Sequence, residues 1–132
     1  MTQNEKLVLD FLKMLELRKS SDEFQKFYHS DVEQTEFPNA ITRNTTTRTL
    51  NDLKESSEKG RKILTKEKYE VKNILSVGDT VILECIFRGT LAIPIGNIAV
   101  GEQMTAHFVQ IFEFKDGKIF RQRNYDCFEP FS

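Results

Sequence analysis

Two carboxylates, Glu36 and Asp126, and four uncharged amides, Gln34, Gln110, Gln122 and Asn124, stand among aromatic residues in a pattern suited to acid–base chemistry. In the stretch MTAHFVQIFEFKDGKIFRQRNYDCF, alternate positions carry Ala106, Phe108, Gln110, Phe112 and Phe114, then Phe120, Gln122, Asn124 and Asp126. Alternate residues of a strand share one face. Polar groups on the same face as four phenylalanines describe the wall of a cavity rather than a plain core. Desolvation disfavours the charged form of a carboxylate in such a place and raises its pKa toward values useful in proton transfer. Glu36 is therefore expected to be a general base. Asp126 is expected to be a second acid or an orienting acceptor, since an aspartate in a strand needs some reason to be there. Gln110 and Asn124 fall on adjacent antiparallel strands, where they pair with each other or offer donors to a ligand oxygen. Gln34, Phe108, Phe112 and Gln122 complete the expected ligand-binding set. The competing readings are a salt-bridged rim glutamate for Glu36 and an anchor for backbone N–H groups for Asp126.

Other chemistries find little support. The two histidines, His29 and His107, lack a third ligand at metal-binding spacing, so no metal is expected. His29 is expected to cap a helix end, and His107 to point away from Gln110. Cys85 and Cys127 form neither a CxxC nor a zinc-finger spacing and read as free thiols in strands. A net charge of -1 with scattered basic residues gives no footprint for nucleic acid. No apolar run approaches the roughly 20 residues of a membrane span. The opening MTQNEKLVLDF has neither a basic n-region nor a small-residue cleavage site, so a cytoplasmic address is expected.

The elements that must position these residues follow from spacing. With 132 residues, 39% of them hydrophobic and 30% charged, the chain corresponds to one soluble domain with a sizeable core. Thr2-x-x-Glu5 is a capping box before Leu7, Val8, Phe11, Leu12 and Leu15 at helical spacing, which predicts a helix to about Arg18. Ser20-x-x-Glu23 predicts a second, short helix bearing Phe24, Phe27 and Tyr28 on one face. A short strand follows from Val32 to Phe37, cut by Pro38-Asn39. The polar, threonine-rich stretch 40–49 reads as a surface loop. Thr49 caps a third helix with Leu50 and Leu53, and Gly60 is its expected stop. From Leu64 the period changes to two. Strands run over 67–77 and 80–91 with a hairpin at Gly78-Asp79, and a final pair is joined at Asp116-Gly117. Three helices followed by long antiparallel strands make an α+β layout, with a mainly antiparallel sheet curved around the helices to leave a cone.

The segments FYHSDV (27–32), GDTV (78–81), GTL (89–91) and FKDGKI (114–119) resemble those of the nuclear-transport-factor-2-like (NTF2-like) superfamily. Within it, the chain is similar to the SnoaL-like, ketosteroid-isomerase-related proteins over nearly its whole length. The segments EFPN (36–39) and RQRNYDCF (121–128) look like marks of one branch. The resemblance implies a strongly curved mixed sheet holding three helices, and a pocket that works without a cofactor. An ungapped alignment from Tyr28 and Asp31 puts Glu36 at the isomerases' base, whereas aligning on the proline puts Phe37 there. The isomerases' acidic hydrogen-bond donor falls on Gln110 and their tyrosine donor near Met14, so strict steroid isomerisation is not implied. The epoxide hydrolases' last-strand aspartate falls on Asn124, and the inward face is read as having no arginine.

Two classes of function stay open on this reading. One is cofactor-free isomerisation, cyclisation or dehydration of a small hydrophobic, oxygen-bearing molecule. The other is non-catalytic ligand binding or protein interaction on the same scaffold. Ile82, Ile86, Val109 and Ile111, interleaved with Glu84, Arg88, Glu113, Arg121 and Arg123, make an outer sheet face too apolar to leave in water, and a homodimer across it is expected. The apolar stretch 92–101 is expected to be a lid over the cone or part of that contact.

Overall fold

A computed structural model describes all residues, Met1–Ser132. Helix α1 (Gln3–Glu16) opens with the expected capping box, Thr2 accepting from the Glu5 N–H and Glu5 from the Thr2 N–H. It buries Val8, Phe11, Leu12 and Met14. The second helix is a 3-10 segment (Ser21–Lys26), and the Ser20 hydroxyl accepts from Asp22 N–H rather than closing a box with Glu23. Strand β1 (Tyr28–Glu36) begins at Tyr28, earlier than the expected Val32. Pairing with the last strand draws these residues out of the helix: Tyr28 lies opposite Ile119, whose N–H donates to the Phe27 carbonyl. His29 therefore sits in a strand, where its Nδ1 accepts from Asp31 N–H, and it caps no helix.

The stretch expected to be a plain loop contains a strand. Strand β2 (Thr46–Arg48) pairs antiparallel with the end of β1, Gln34 opposite Arg48 and Glu36 opposite Thr46. Its threonines favour extended backbone. Helix α2 (Leu50–Ile63) opens on a capping box between Thr49 and Asp52 and runs through Gly60, the expected stop. Gly60 is not in the left-handed region that ends helices, and the chain passes straight from Ile63 into the strand that begins at Leu64.

Strands β3 (Leu64–Val77), β4 (Thr80–Leu91), β5 (Gln103–Lys115) and β6 (Lys118–Phe128) form a meander. Asp116 and Gly117 both take positive φ, 54° and 75°, as a two-residue hairpin turn requires. The sheet order is β2-β1-β6-β5-β4-β3, antiparallel throughout except between β1 and β6. The result is the α+β cone expected from sequence. Its core joins Val8, Phe11, Phe24 and Tyr28 to Leu83, Cys85, Phe112 and Ile119.

One parity expectation fails. A bulge between Glu113 and Phe114 shifts the β5–β6 register, so Ile119 takes the inward place and is fully buried. Phe120 turns to the outer side, where the Arg121 guanidinium lies 3.9 Å over its ring and His29 meets its edge.

Candidate functional site

The sheet register assembles the site in rows. Glu36 on β1 lies opposite Asn124 on β6, and Asn124 opposite Gln110 on β5. One row deeper, Arg48 faces Gln34, Gln34 faces Gln122, and Gln122 faces Phe112. One row toward the mouth, Asp126 faces Phe108 and Phe108 faces Cys85. A cavity of about 410 Å³ opens between this wall and the helices. Gln34, Glu36, Phe108, Gln110, Gln122 and Asn124 all line it. Phe112 does not: it is fully buried and forms part of the closed core behind the deep row. Asp126 lies on the same face between Asn124 and Phe128, but its carboxyl is not part of the cavity surface. Its Oδ1 is buried there without a hydrogen-bond partner.

The two acids are driven in opposite directions. Burial alone would raise the pKa of Glu36, but hydrogen bonds from Thr42 (2.5 Å), Asn39 (2.7 Å) and Arg48 (2.7 Å), with the Arg48 charge, hold it below the ordinary glutamate value. It is a fixed anion with three of its roughly four acceptor sites occupied. Asp126 is pushed up to about 7 by burial and by the negative charge of Glu36, against a smaller opposing pull from Arg48. The group whose protonation changes near neutral pH is therefore Asp126. Its neighbour Cys85 is pushed up to about 12 by burial and by Asp126, so its thiol stays protonated.

The amides are oriented by one chain of hydrogen bonds. Buried Tyr28 donates its hydroxyl to Gln122 Oε1 (2.7 Å), and Gln122 Nε2 donates to Asn124 Oδ1 (2.8 Å). Each link settles which end of an amide is oxygen, so Asn124 Nδ2 is left to donate elsewhere. The expected Gln110–Asn124 side-chain pairing is not made: Asn124 Oδ1 is taken by Gln122, and Gln110 Oε1 is buried without a partner. Two acceptor oxygens, those of Gln110 and Asp126, thus lie unsatisfied near one another, on opposed strands one diagonal apart. Desolvated acceptors of this kind are costly unless a ligand or a proton satisfies them.

Three lining groups escaped the sequence reading. Arg48 was hidden because its three-residue strand lies in a polar stretch, too short to show a period; it supplies the inward arginine that the sequence was read as lacking. Glu67 and Arg18 line the far side of the cavity, with Glu67 accepting from Arg18 Nη1 (3.0 Å) and from the Tyr69 hydroxyl (2.9 Å). Between the two polar regions runs an aromatic wall: Tyr69 on Phe87 (centroids 5.5 Å), Phe87 stacked on Phe108 (5.2 Å), and Phe108 against Phe128 (6.1 Å). Over the mouth, Ile95 reaches the cavity from the 92–101 loop, which is tied to the C-terminal tail by Asn97 N–H donating to Phe131 O.

The fold is widely shared. AclR of Streptomyces galilaeus superposes with a TM-score of 0.78 at 20% identity, covering 96% of this chain and 80% of that one. TerC, co-crystallised with polyporic acid, gives 0.74 at 19% identity, covering 97% and 92%. A SnoaL-like polyketide cyclase from Agrobacterium tumefaciens C58 gives 0.72 at 16% identity, covering 96% and 92%. No curated protein sequence matches the chain. The profile of the SnoaL-like polyketide cyclases matches residues 6–126, and the chain belongs to that family, within the NTF2-like superfamily.

Proposed function

We propose that this protein binds a flat, hydrophobic, oxygen-bearing molecule in its cone and catalyses a cofactor-free acid–base reaction of the cyclase type, with Asp126 as the proton-transfer group. The observation that carries this reading is the Asp126 carboxyl, buried, without a partner on Oδ1 and raised to about 7. A base with a pKa near working pH combines a useful carboxylate fraction with enough basicity to remove a proton. In its carboxylate form, and turned into the cavity between Asn124 and Phe128, which both line it, Asp126 takes a proton from a carbon beside a ligand carbonyl. The electron pair of the broken C–H bond becomes the enolate, which accepts hydrogen bonds from Asn124 Nδ2 and the Arg48 guanidinium. After the enolate carbon bonds to a second carbonyl carbon, the proton held by Asp126 passes to the new alkoxide. Proton and charge balance without any cofactor.

The remaining site residues serve this step. Glu36 is assigned to anchoring Arg48, because its oxygens already accept three hydrogen bonds. Gln34 and Gln122 keep Arg48 and Asn124 oriented, Gln110 Oε1 accepts from a ligand hydroxyl, and Phe108 gives the ligand an aromatic face. Family membership and TerC's capture of polyporic acid support a planar oxygenated ligand. We place the protein in the cytoplasm as a homodimer joined through the outer face, where Ile82, Ile86, Val109 and Ile111 are only half-covered within one chain. No helix is long and apolar enough to cross a membrane.

The test is deuterium exchange into 2-tetralone, a hydrophobic ketone with acidic α-hydrogens, followed by NMR in D₂O. Saturable acceleration that falls by about a hundredfold or more in Asp126→Asn supports the assignment, since positioned bases contribute roughly 10²–10⁴. Binding of 2-tetralone without faster exchange would leave a non-catalytic binding module as the correct reading.

A further inference from the structure

The site described so far occupies one side of the cavity. The strand order puts β2 and β1, with Arg48 and Glu36, at one edge of the sheet and β3, with Glu67 and Tyr69, at the other. Curvature brings both edges to one cavity, because Glu36, Arg48, Glu67 and Tyr69 all line it. The aromatic wall Tyr69–Phe87–Phe108–Phe128 crosses β3, β4, β5 and β6 between them and ends beside Asp126, which lies opposite Phe108. The cavity is thus polar at two ends and aromatic in the middle.

The far end is built around one carboxylate. Glu67 Oε2 accepts from Arg18 and Oε1 from Tyr69. Two ionised oxygens offer about four acceptor sites, so Glu67 has capacity left for a further donor. Its surroundings leave space for one. Gly60 lines the same cavity with nothing within 4 Å of where a Cβ would stand, whereas the room over Gly89, opposite Glu67 in register, is taken by the side chains of Phe87 and Leu64. A purely architectural role explains Arg18 better than Glu67. Arg18 already fastens α1 to the end of α2 through the carbonyls of Leu64 (2.8 Å) and Arg61 (3.4 Å). Placing a carboxylate on a largely apolar wall carries a desolvation penalty, and an apolar pair would close the same joint as well. Burial indeed raises the pKa of Glu67 in spite of hydrogen bonding from Tyr69 and the charges of Arg18 and Arg61.

We infer that Glu67, held by Arg18 and Tyr69, is the acceptor of a second ligand subsite, which takes a hydroxyl at the far end of an elongated aromatic ligand whose reacting carbonyl lies at Asp126. This inference rests on the cavity reading above and specifies its ligand class: a planar molecule polar at both ends, with a hydrogen-bond donor distal to the ketone.

The test compares 6-(4-hydroxyphenyl)-2-tetralone with 6-phenyl-2-tetralone, which differ by one hydroxyl, by calorimetric Kd with wild-type protein, Glu67→Gln, Tyr69→Phe and the double variant Arg18→Gln/Glu67→Gln. Hydrogen bonds to charged groups are worth roughly tenfold or more in affinity. Wild type should therefore favour the phenol about tenfold, and Glu67→Gln should lose most of that preference, read as the ratio of the two Kd values within each variant. Tyr69→Phe, which leaves the carboxylate in place and frees a lone pair, should keep it. The double variant removes both charges together, leaves no buried ion unpaired, and should match Glu67→Gln. Equal affinity of wild type for the two probes, or a preference that survives in both Glu67 variants, overturns the subsite while leaving the cavity reading intact. Failure of wild type to bind either probe overturns both.

Discussion

Glu36 and Asp126 share a site but not a protonation state: the fixed charge of Glu36 is one of the causes that lifts Asp126 to about 7. The relationship runs one way because of what each carboxyl touches. Glu36 accepts from Thr42, Asn39 and Arg48, whereas Asp126 Oδ1 accepts from nothing. Two carboxylates of similar chemistry are thus separated into a permanent anion and a titrating acid.

Stability should fall as pH rises across the Asp126 window. The unfolded aspartate binds its proton only below about 4, while the folded one holds it to about 7. Between those values the unfolded state binds fewer protons, so stability drops with rising pH and levels off above about 7. Asp126→Asn carries no such charge. Its stability relative to wild type should increase by about 1–3 kcal/mol between pH 4 and 7.5, with the partial exposure of the residue setting the lower figure. Urea denaturation at several pH values measures this. A difference that does not change with pH would mean the carboxyl titrates normally.

The Glu36–Arg48 pair should show strong non-additivity. Its side chains are only 14% and 19% exposed, so removing one partner strands a partly buried charge. Arg48→Met or Glu36→Gln alone should each cost about 2–4 kcal/mol, and the double variant clearly less than the sum. The Glu36 pKa is depressed, so its contribution is present above the unfolded value near 4.5 and is lost as pH falls through the lower folded value. A double-mutant cycle by urea denaturation at pH 7 and again at pH 3 checks both statements. Additive losses would show that the two side chains are independent.

What sequence could and could not disclose follows from the range of each signal. Gln110, Gln122 and Asn124 were legible because long strands repeat every second residue, and all three line the cavity. Arg48 was not, since three residues of strand inside a threonine-rich stretch carry no measurable period. Phe120 was misassigned because a single bulge inverts parity and leaves no mark in composition. Glu67 reads as an ordinary solvated charge at a strand start. Only the curvature that brings the two sheet edges together turns it inward, and that is a property of the whole sheet. The opposite fates of Glu36 and Asp126 were equally hidden, because they depend on which donors a folded loop delivers.

Tyr28→Phe should loosen the amide chain without emptying space. The hydroxyl is buried and donates to Gln122, so its loss leaves Gln122 Oε1 without this donor. The expected cost is about 1–3 kcal/mol, the price of an unsatisfied buried acceptor. Asn124 also loses the relay that fixes its amide, so the 2-tetralone exchange rate should fall as well. Denaturation midpoint and exchange rate measured on the same preparation test this; an unaltered exchange rate would detach Tyr28 from the orientation of Asn124.

Gly89→Ala should reshape the aromatic wall from beneath. Gly89 lies in β4 opposite Glu67, and an added Cβ would stand 2.7 Å from Phe87 Cζ and 2.8 Å from Leu64 Cδ2. Its backbone lies outside the left-handed region, so the methyl introduces crowding rather than dihedral strain. The phenyl ring must move, and with it the stack on Phe108 and the contact with Tyr69. Overpacking of this kind costs about 1–3 kcal/mol. Because the displaced ring lines the cavity, affinity for 6-phenyl-2-tetralone should fall alongside stability. A melting curve and a calorimetric titration measure the two. An alanine variant that loses stability but binds the phenyl probe as tightly as wild type would place the Phe87 face outside the ligand's path.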